Sequence, residues 1–153
     1  MVPGRYVVFA AESRFVLDGE MTGYASATLG ETGETRVTVT VEHGSETVQV
    51  QLSPGPGTRV PAQVWLLPAE LTSGQPSVMG LTRSGVETDT PLRYVISNVA
   101  PGAYTLRVMV QDGTRMGSYA VPLNVARNQR EVVQVAPPPA SAVTDVPGPN
   151  GSP

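Results

Sequence analysis

The chain has 153 residues, a formal net charge of −3, and neither lysine nor cysteine. Without lysine there is no lysine-dependent phosphate loop or Schiff base, and without cysteine no disulfide, thiolate metal site or thiol nucleophile. The ten arginines are scattered and form no basic block, which argues against a nucleic-acid partner. No apolar run approaches the roughly 18 residues of a membrane span, so we expect no direct membrane insertion. The first residues also lack the basic and apolar regions of a signal peptide.

The first third of the sequence contains three valine-rich stretches that favour strands. They are VPGRYVVFA at 2–10, VTVTV at 37–41 and VQV at 48–50. A short helix is predicted within residues 15–29, although its helical period is weak. Between the second and third stretches, EHGSE is predicted to form a hairpin turn in which Gly44 takes a positive φ.

The middle of the chain begins with PAQVWLLP at 61–68, which reads as a strand between two prolines. Alternation directs Ala62, Val64 and Leu66 toward a core. A loop-rich stretch follows, with one strand expected near 78–82.

The best-patterned strands flank a Pro-Gly turn at 100–102. Side chains expected to face the core alternate on both sides of this turn: Tyr94, Ile96, Tyr104, Leu106, Val108, Val110, Val121, Leu123 and Val125. Pro122 has no N–H to donate, so its strand is predicted to be an edge strand or to contain a bulge. VQV at 133–135 is the last predicted strand. Residues 137–153 are rich in proline, glycine and serine and are predicted to be a disordered tail or linker.

Three sequence elements recur in the same order. PGRYVVFA matches PGAYTLRV, VTVTV matches VPLNV, and VQV occurs twice. The repetition predicts that residues 1–54 are the C-terminal half of a first β-sandwich unit and that residues 55–136 form a complete second unit. The chain would then begin inside a domain.

The run YVISNVAPGAYTL at 94–106 resembles bacterial carboxypeptidase regulatory-like (prealbumin-like) domains, where a valine precedes a Pro-Gly turn and Tyr-x-Leu follows. VPAQVWLLP is similar to the family's early strand. Two departures are DTPLR at 89–93 in place of Asp-Gly, and Ala100 in place of a proline. The resemblance implies an all-β, Greek-key, Ig-like sandwich. It also implies an extracellular or cell-envelope location (periplasm or outer membrane) beside neighbouring domains of the same polypeptide.

His43 is the single histidine and lies between Glu42 and Glu46. A zinc site needs three or four converging ligands, and a serine hydrolase of the common kind needs a G-x-S-x-G elbow that the sequence lacks. Glu87 and Asp89 suggest a calcium loop, but two acids without a third are more typical of a solvated turn. We therefore predict no enzyme activity, no catalytic residue, no metal and no cofactor.

Trp65 is the candidate ligand contact. Alternation places it on the outer face of its strand, where an indole ring can stack on a sugar. The alternatives are that Trp65 packs under the loop at 70–90 or against a neighbouring unit. Tyr6 and Tyr104 are expected to be structural, with hydroxyls bonded to the backbone.

The sequence thus predicts a non-catalytic structural or interaction module, a spacer within a larger secreted or cell-envelope protein. The alternative is a carbohydrate-binding module that uses Trp65. Besides neighbouring domains, the expected partners are a polysaccharide or a protein.

Overall fold

β-Strands dominate the computed structural model, which describes residues 3–11, 21–30, 33–54, 57, 59–69 and 82–146. In chain order they are β1 (Gly4–Ala11), β2 (Met21–Leu29), β3 (Glu42–His43), β4 (Glu46–Leu52), β5 (Val60–Pro68), β6 (Arg83–Ser84), β7 (Val86–Glu87), β8 (Arg93–Val99), β9 (Gly102–Asp112), β10 (Arg115–Val125), β11 (Val133–Val135) and β12 (Thr144–Val146). A short 3-10 helix, Ala140–Ala142, precedes β12. The predicted all-β class is confirmed for these residues.

The strands form three sheets. β1, β2 and β3 make an antiparallel sheet of three strands. A five-stranded sheet has the order β12-β10-β9-β5-β6, and a four-stranded sheet has the order β11-β4-β8-β7. We call the five- and four-stranded sheets together the two-sheet unit, because their side chains share one core.

The core contains apolar side chains from both sheets of the two-sheet unit. Its buried members are Val48, Val50, Leu52, Val64, Leu66, Tyr94, Ile96, Val99, Leu106, Val108, Val110, Tyr119, Leu123, Val125 and Val135. Alternate positions are buried in β4, and in β9 the alternate residues Leu106, Val108 and Val110 are buried, as expected for strands with one face on a core. The predicted inward faces of the strands around the Pro-Gly turn are therefore confirmed, with Tyr104 and Val121 half-buried at the margin.

β4 belongs to the same unit as the strands that follow it. It lies between β11 and β8, and five of its residues are aligned with β8. The Leu52 N–H donates to the Leu92 C=O (2.9 Å), and the Ser53 N–H donates to the Val135 C=O (3.1 Å). A boundary near 54–57 would separate β4 from both neighbours, so we correct it and begin the two-sheet unit at Glu46. That the preceding residues are half of another unit stays a prediction.

The two VQV triplets are neighbours in one sheet. Val133 is aligned with Val50, and Val135 with Leu52, in a parallel pair. The sequence predicted these triplets to be equivalent strands of two successive units. They are instead the first and last strands of the four-stranded sheet in chain order, because similar valine alternation suits any strand with one buried face. Residues 37–41, matched to the last five residues of β10, form no hydrogen-bonded strand.

Three local predictions need correction. Residues 21–29 form β2 and not the end of a helix, while residues 12–20 lie outside the described part. Ala62 is exposed because the β5–β9 register shifts between Pro61 and Gln63, so that Pro61 is buried in its place. The strand expected near 78–82 falls largely on residues outside the described ranges.

The first ten residues of the predicted disordered tail lie against the two-sheet unit. β12 pairs with residues 116–118 of β10, and Val143 packs on the core. Arg59 and Asp145 form an ion pair at 2.9 Å. Disorder over 137–146 is therefore wrong, and residues 147–153 are outside the described part. At Pro122, β9 is the only partner of β10 among the described strands, as the missing N–H predicted.

Gly85 is where the chain passes from one sheet of the unit to the other. It separates β6, in the five-stranded sheet, from β7, in the four-stranded sheet. Its N–H donates to the Val64 C=O (3.0 Å), and a Cβ at this position would collide with a Val64 methyl. The close approach of backbone to core therefore requires glycine here.

Candidate functional site

Trp65 lies on the outer face of the five-stranded sheet, away from the core. Its neighbours in β5, Val64 and Leu66, are at most 1% exposed, so alternation turns the indole outward. Trp65 is half-buried and is aligned with Ser84 of β6 on one side and Arg107 of β9 on the other. The predicted outward orientation is confirmed, whereas the role of Trp65 as a ligand contact stays a prediction.

The outer face around Trp65 alternates apolar and polar side chains. The registers of β5, β9 and β10 place the following residues on it with Trp65: Gln63, Leu67, Thr105, Arg107, Met109, Gln111, Met116, Ser118 and Ala120. Met109 is only 8% exposed although it is not a member of the core. The outer face therefore combines hydrophobic residues with hydroxyl, amide and guanidinium groups that lie between them.

Trp65 and Arg107 together supply two complementary kinds of contact. The indole offers an apolar ring face, and the guanidinium offers up to five N–H donors in a fixed planar arrangement. This pair suits a ligand with an apolar ring face and peripheral hydroxyls. Alternation in β9 places Arg107 on the face opposite that of Leu106 and Val108. Its alignment with Trp65 could not be read from the sequence, because it depends on the β5–β9 register.

The predicted turn around His43 is different in the structure. His43 belongs to β3 and is aligned with Met21 of β2, whereas β4 pairs with β8 and β11. β3 and β4 belong to different sheets and thus do not form the predicted hairpin. Gly44 has no positive φ; a Cβ there would collide with the backbone oxygen of Asn98. Glu46 accepts a hydrogen bond from the Gln129 N–H (3.2 Å).

Glu87 is the last residue of β7, and Asp89 lies in the loop between β7 and β8. The Glu87 carboxylate accepts a hydrogen bond from the Leu92 N–H (2.9 Å), and Leu92 has a left-handed φ of 60°. Glu87 therefore supports an unusual backbone conformation in this turn. Asp89 is exposed. Among the described residues, no three His, Cys, Asp or Glu side chains converge as a metal site.

Arg83 is a buried charged residue that no sequence pattern singled out. It is 9% exposed, and its Nε donates to the Asn98 C=O (3.0 Å). Since Arg83 is in β6 and Asn98 in β8, this bond joins the two sheets at one end. A buried guanidinium needs hydrogen-bond acceptors, and the Asn98 C=O supplies one. Arg83 therefore has a structural role, in which a charge-assisted hydrogen bond links the two sheets.

Two core tyrosines differ from Tyr104 in their hydrogen bonds. The Tyr104 hydroxyl donates to the Ala100 C=O (2.7 Å), as predicted, and fixes the Pro-Gly turn. The hydroxyls of Tyr94 and Tyr119 are buried without a partner among the described residues. Burial raises the pKa of both phenols, and the nearby Glu87 carboxylate raises the pKa of Tyr94 further.

Comparison of the chain with protein-family models, curated proteins and solved structures found no match. The resemblance to carboxypeptidase regulatory-like domains therefore stays a proposal. None of the helical structure in the described ranges is long and apolar enough to span a membrane.

The tyrosine contrast gives a testable prediction. Tyr119→Phe removes a hydroxyl that has no hydrogen-bond partner within the described ranges, so we expect no loss of stability, or a gain of up to about 1 kcal/mol. Tyr104→Phe, the matched control, loses a bonded hydroxyl and should cost about 0.5–1.5 kcal/mol. Urea unfolding of the three proteins measures both changes. Equal destabilisation by the two substitutions would contradict this assignment.

The same measurement at high pH tests the raised pKa values. Below pH 10, the ordinary phenol pKa, the phenols keep their protons in both the native and the unfolded state. The stability that the raised native pKa values contribute is therefore fully present there. Above pH 10 the unfolded chain loses phenol protons first, and stability falls until the native phenols also ionise. This fall should be shallower in Tyr119→Phe.

Proposed function

We propose that the chain supplies a non-catalytic structural module, a spacer that holds neighbouring domains of the same polypeptide at a fixed separation. The observation that supports this most strongly is the parallel pairing of β4 and β11. They are the first and last strands of the four-stranded sheet along the chain. In a parallel pair, the N-terminal end of one strand and the C-terminal end of the other lie at opposite ends. The chain therefore enters the two-sheet unit at one end and leaves at the other.

Contacts at both ends support the same path. At the N-terminal end, Glu46 is bonded to Gln129, in the turn that joins β10 to β11. At the other end, β12 runs antiparallel to β10 and finishes with Val146 beside Met116, near the start of β10. Since β10 leads toward the turn that contains Gln129, Val146 and Glu46 lie at opposite ends. A spacer needs its entry and exit points at opposite ends. The hydrogen bond between Glu46 and Gln129 and the pairing of β12 with β10 hold the chain against the two-sheet unit at these points, which limits bending there.

The family resemblance supports a cellular location for this module. In the described strands, the Pro-Gly turn joins β8 of one sheet to β9 of the other, which is consistent with a Greek-key, prealbumin-like sandwich. Such domains belong to secreted and cell-envelope proteins, so we propose an extracellular or envelope location.

Spin labels at Ser45→Cys and Thr144→Cys test the spacer proposal in an otherwise cysteine-free chain. We expect one narrow distance distribution centred on the order of 30 Å, because a strand advances about 3.3 Å per residue. Labels at Ser45→Cys and Arg130→Cys, both near the N-terminal end of β4, should give a clearly shorter distance. A broad distribution, or equal distances for the two pairs, would argue against a rigid spacer.

A second candidate function, carbohydrate binding, is favoured by the alignment of Trp65 with Arg107 on the outer face. A sugar ring would stack on the indole while its hydroxyls accept hydrogen bonds from the guanidinium. Ser84 and Gln63 lie close enough in register to contribute further polar contacts. The mixed apolar and polar character of the outer face is suited to an extended polysaccharide.

Fluorescence titration with a panel of soluble polysaccharides tests this second function, because Trp65 is the single tryptophan. Binding should change the emission saturably, and Arg107→Gln should weaken binding about tenfold, the loss of one charge-assisted hydrogen bond. Arg115→Gln, an exposed arginine in the β9–β10 hairpin, is the control and should leave the affinity unchanged. No response to any polysaccharide would reject the second function.

A further inference from the structure

We infer that the two-sheet unit resists mechanical tension, and that its resistance resides in the parallel β4–β11 ladder. This inference rests on the proposed spacer function, since a spacer transmits any force that pulls its neighbours apart. The ladder joins Val50, Gln51 and Leu52 to Val133, Gln134 and Val135. It therefore connects the first and last strands of the four-stranded sheet directly.

The direction of load on this ladder follows from its parallel sense. Tension on the preceding chain pulls β4 backward along its own axis from Glu46. Tension on the following chain pulls β11 forward along its axis from Val135. Because the strands are parallel neighbours, the two forces slide them past each other, so all the ladder's hydrogen bonds are strained together. An antiparallel terminal pair, by contrast, would open one bond at a time from its loaded end.

β4 is itself held firmly against such sliding. It is bonded on its other side to β8, in an antiparallel ladder of five aligned residues. Val48 and Val50 are fully buried and Leu52 is 2% exposed. Moving β4 along its axis would withdraw these side chains from the core, and the free-energy cost rises with the apolar area exposed. β11, an edge strand with three residues, is thus the part expected to yield first.

The backbone groups of β11 divide into two sets. The Val135 C=O accepts the Ser53 N–H (3.1 Å), so the backbone groups of Val135 face β4. In a strand, the N–H and C=O of one residue point to the same side and alternate along the chain. The backbone groups of Val133 therefore also face β4, while those of Gln134 face the free edge, the side of β11 on which no described strand is paired.

The segment after β11 adds a weaker, separate attachment. β12 has three residue pairs with β10, all three of its residues are exposed, and Asp145 is 71% exposed in its ion pair with Arg59. Tension on the C-terminal chain would reach this attachment before it reaches β11. A force handle placed at Ala136, between β11 and β12, bypasses the attachment and loads the ladder alone.

Single-molecule pulling of the full chain through two engineered cysteines tests the inference. Handles at Ser45→Cys and Ala136→Cys load the β4–β11 ladder along its strands. Handles at Ser53→Cys and Ala136→Cys load the same ladder at one end, so that it opens pair by pair. We expect a several-fold higher unfolding force for the first pair of handles at the same pulling speed, since forced unfolding reports the barrier along the loaded path. Complete unfolding between Ser45 and Ala136 should lengthen the tether on the order of 300 Å.

Equal forces in the two geometries would overturn the inference, and so would a higher force for the handles at Ser53 and Ala136. Either result would leave the spacer proposal to be decided by the spin-label distances, which involve no force. Conversely, a difference in force together with a broad label distribution would keep the mechanical property and reject the rigid spacer.

Two proline variants locate the resistance within β11. Val133→Pro removes an N–H that faces β4 and should lower the unfolding force between Ser45 and Ala136. Gln134→Pro removes an N–H that faces the free edge, where proline is tolerated, and should leave this force nearly unchanged. The same loss of force in both variants would contradict the role of the ladder. The comparison of handle geometries uses the native β11 and does not depend on either variant folding.

Discussion

The insertion of β4 between β11 and β8 is the interaction on which the rest of the two-sheet unit depends. It joins strands that are far apart in sequence, and it contributes Val48, Val50 and Leu52 to the core. Without β4, β11 would lose its partner in the described structure and one side of β8 would be open. The path of the chain through the unit, and the direction in which tension acts on it, both follow from this placement.

The inward-facing residues of the two-sheet unit were largely predictable from the sequence, whereas the partners of its strands were not. Alternation identifies Leu106, Val108 and Val110 because burial on one face has a period of two residues. Pairing depends on contacts between distant segments, which alternation does not encode. For this reason alternation could not show that the two VQV triplets, which look like copies from separate units, are adjacent strands of one sheet. The exposure of Ala62 depends on a bulge, which local patterning also did not reveal.

The candidate site shows the same division between local and distant information. Trp65 could be placed on an outer face from β5 alone, but its neighbour Arg107 is known only from the register with β9. In the tail, composition predicted disorder, yet Val143 and Asp145 make specific contacts with the unit. A few anchoring side chains thus order a segment that is otherwise rich in proline. Trp65 and the anchored tail lie on the five-stranded sheet, while the four-stranded sheet contains the ladder that joins β4 to β11.

Native-state hydrogen exchange tests the central claim, that β4 is an integral strand of the two-sheet unit, most directly. The amide of Leu52, which donates to the Leu92 C=O, should exchange only through global unfolding. Its opening free energy should then equal that of Leu106 in β9 and fall with it in denaturant. If the Leu52 amide instead exchanged many-fold faster while Leu106 stayed protected, β4 would be a separate element and the account would be contradicted.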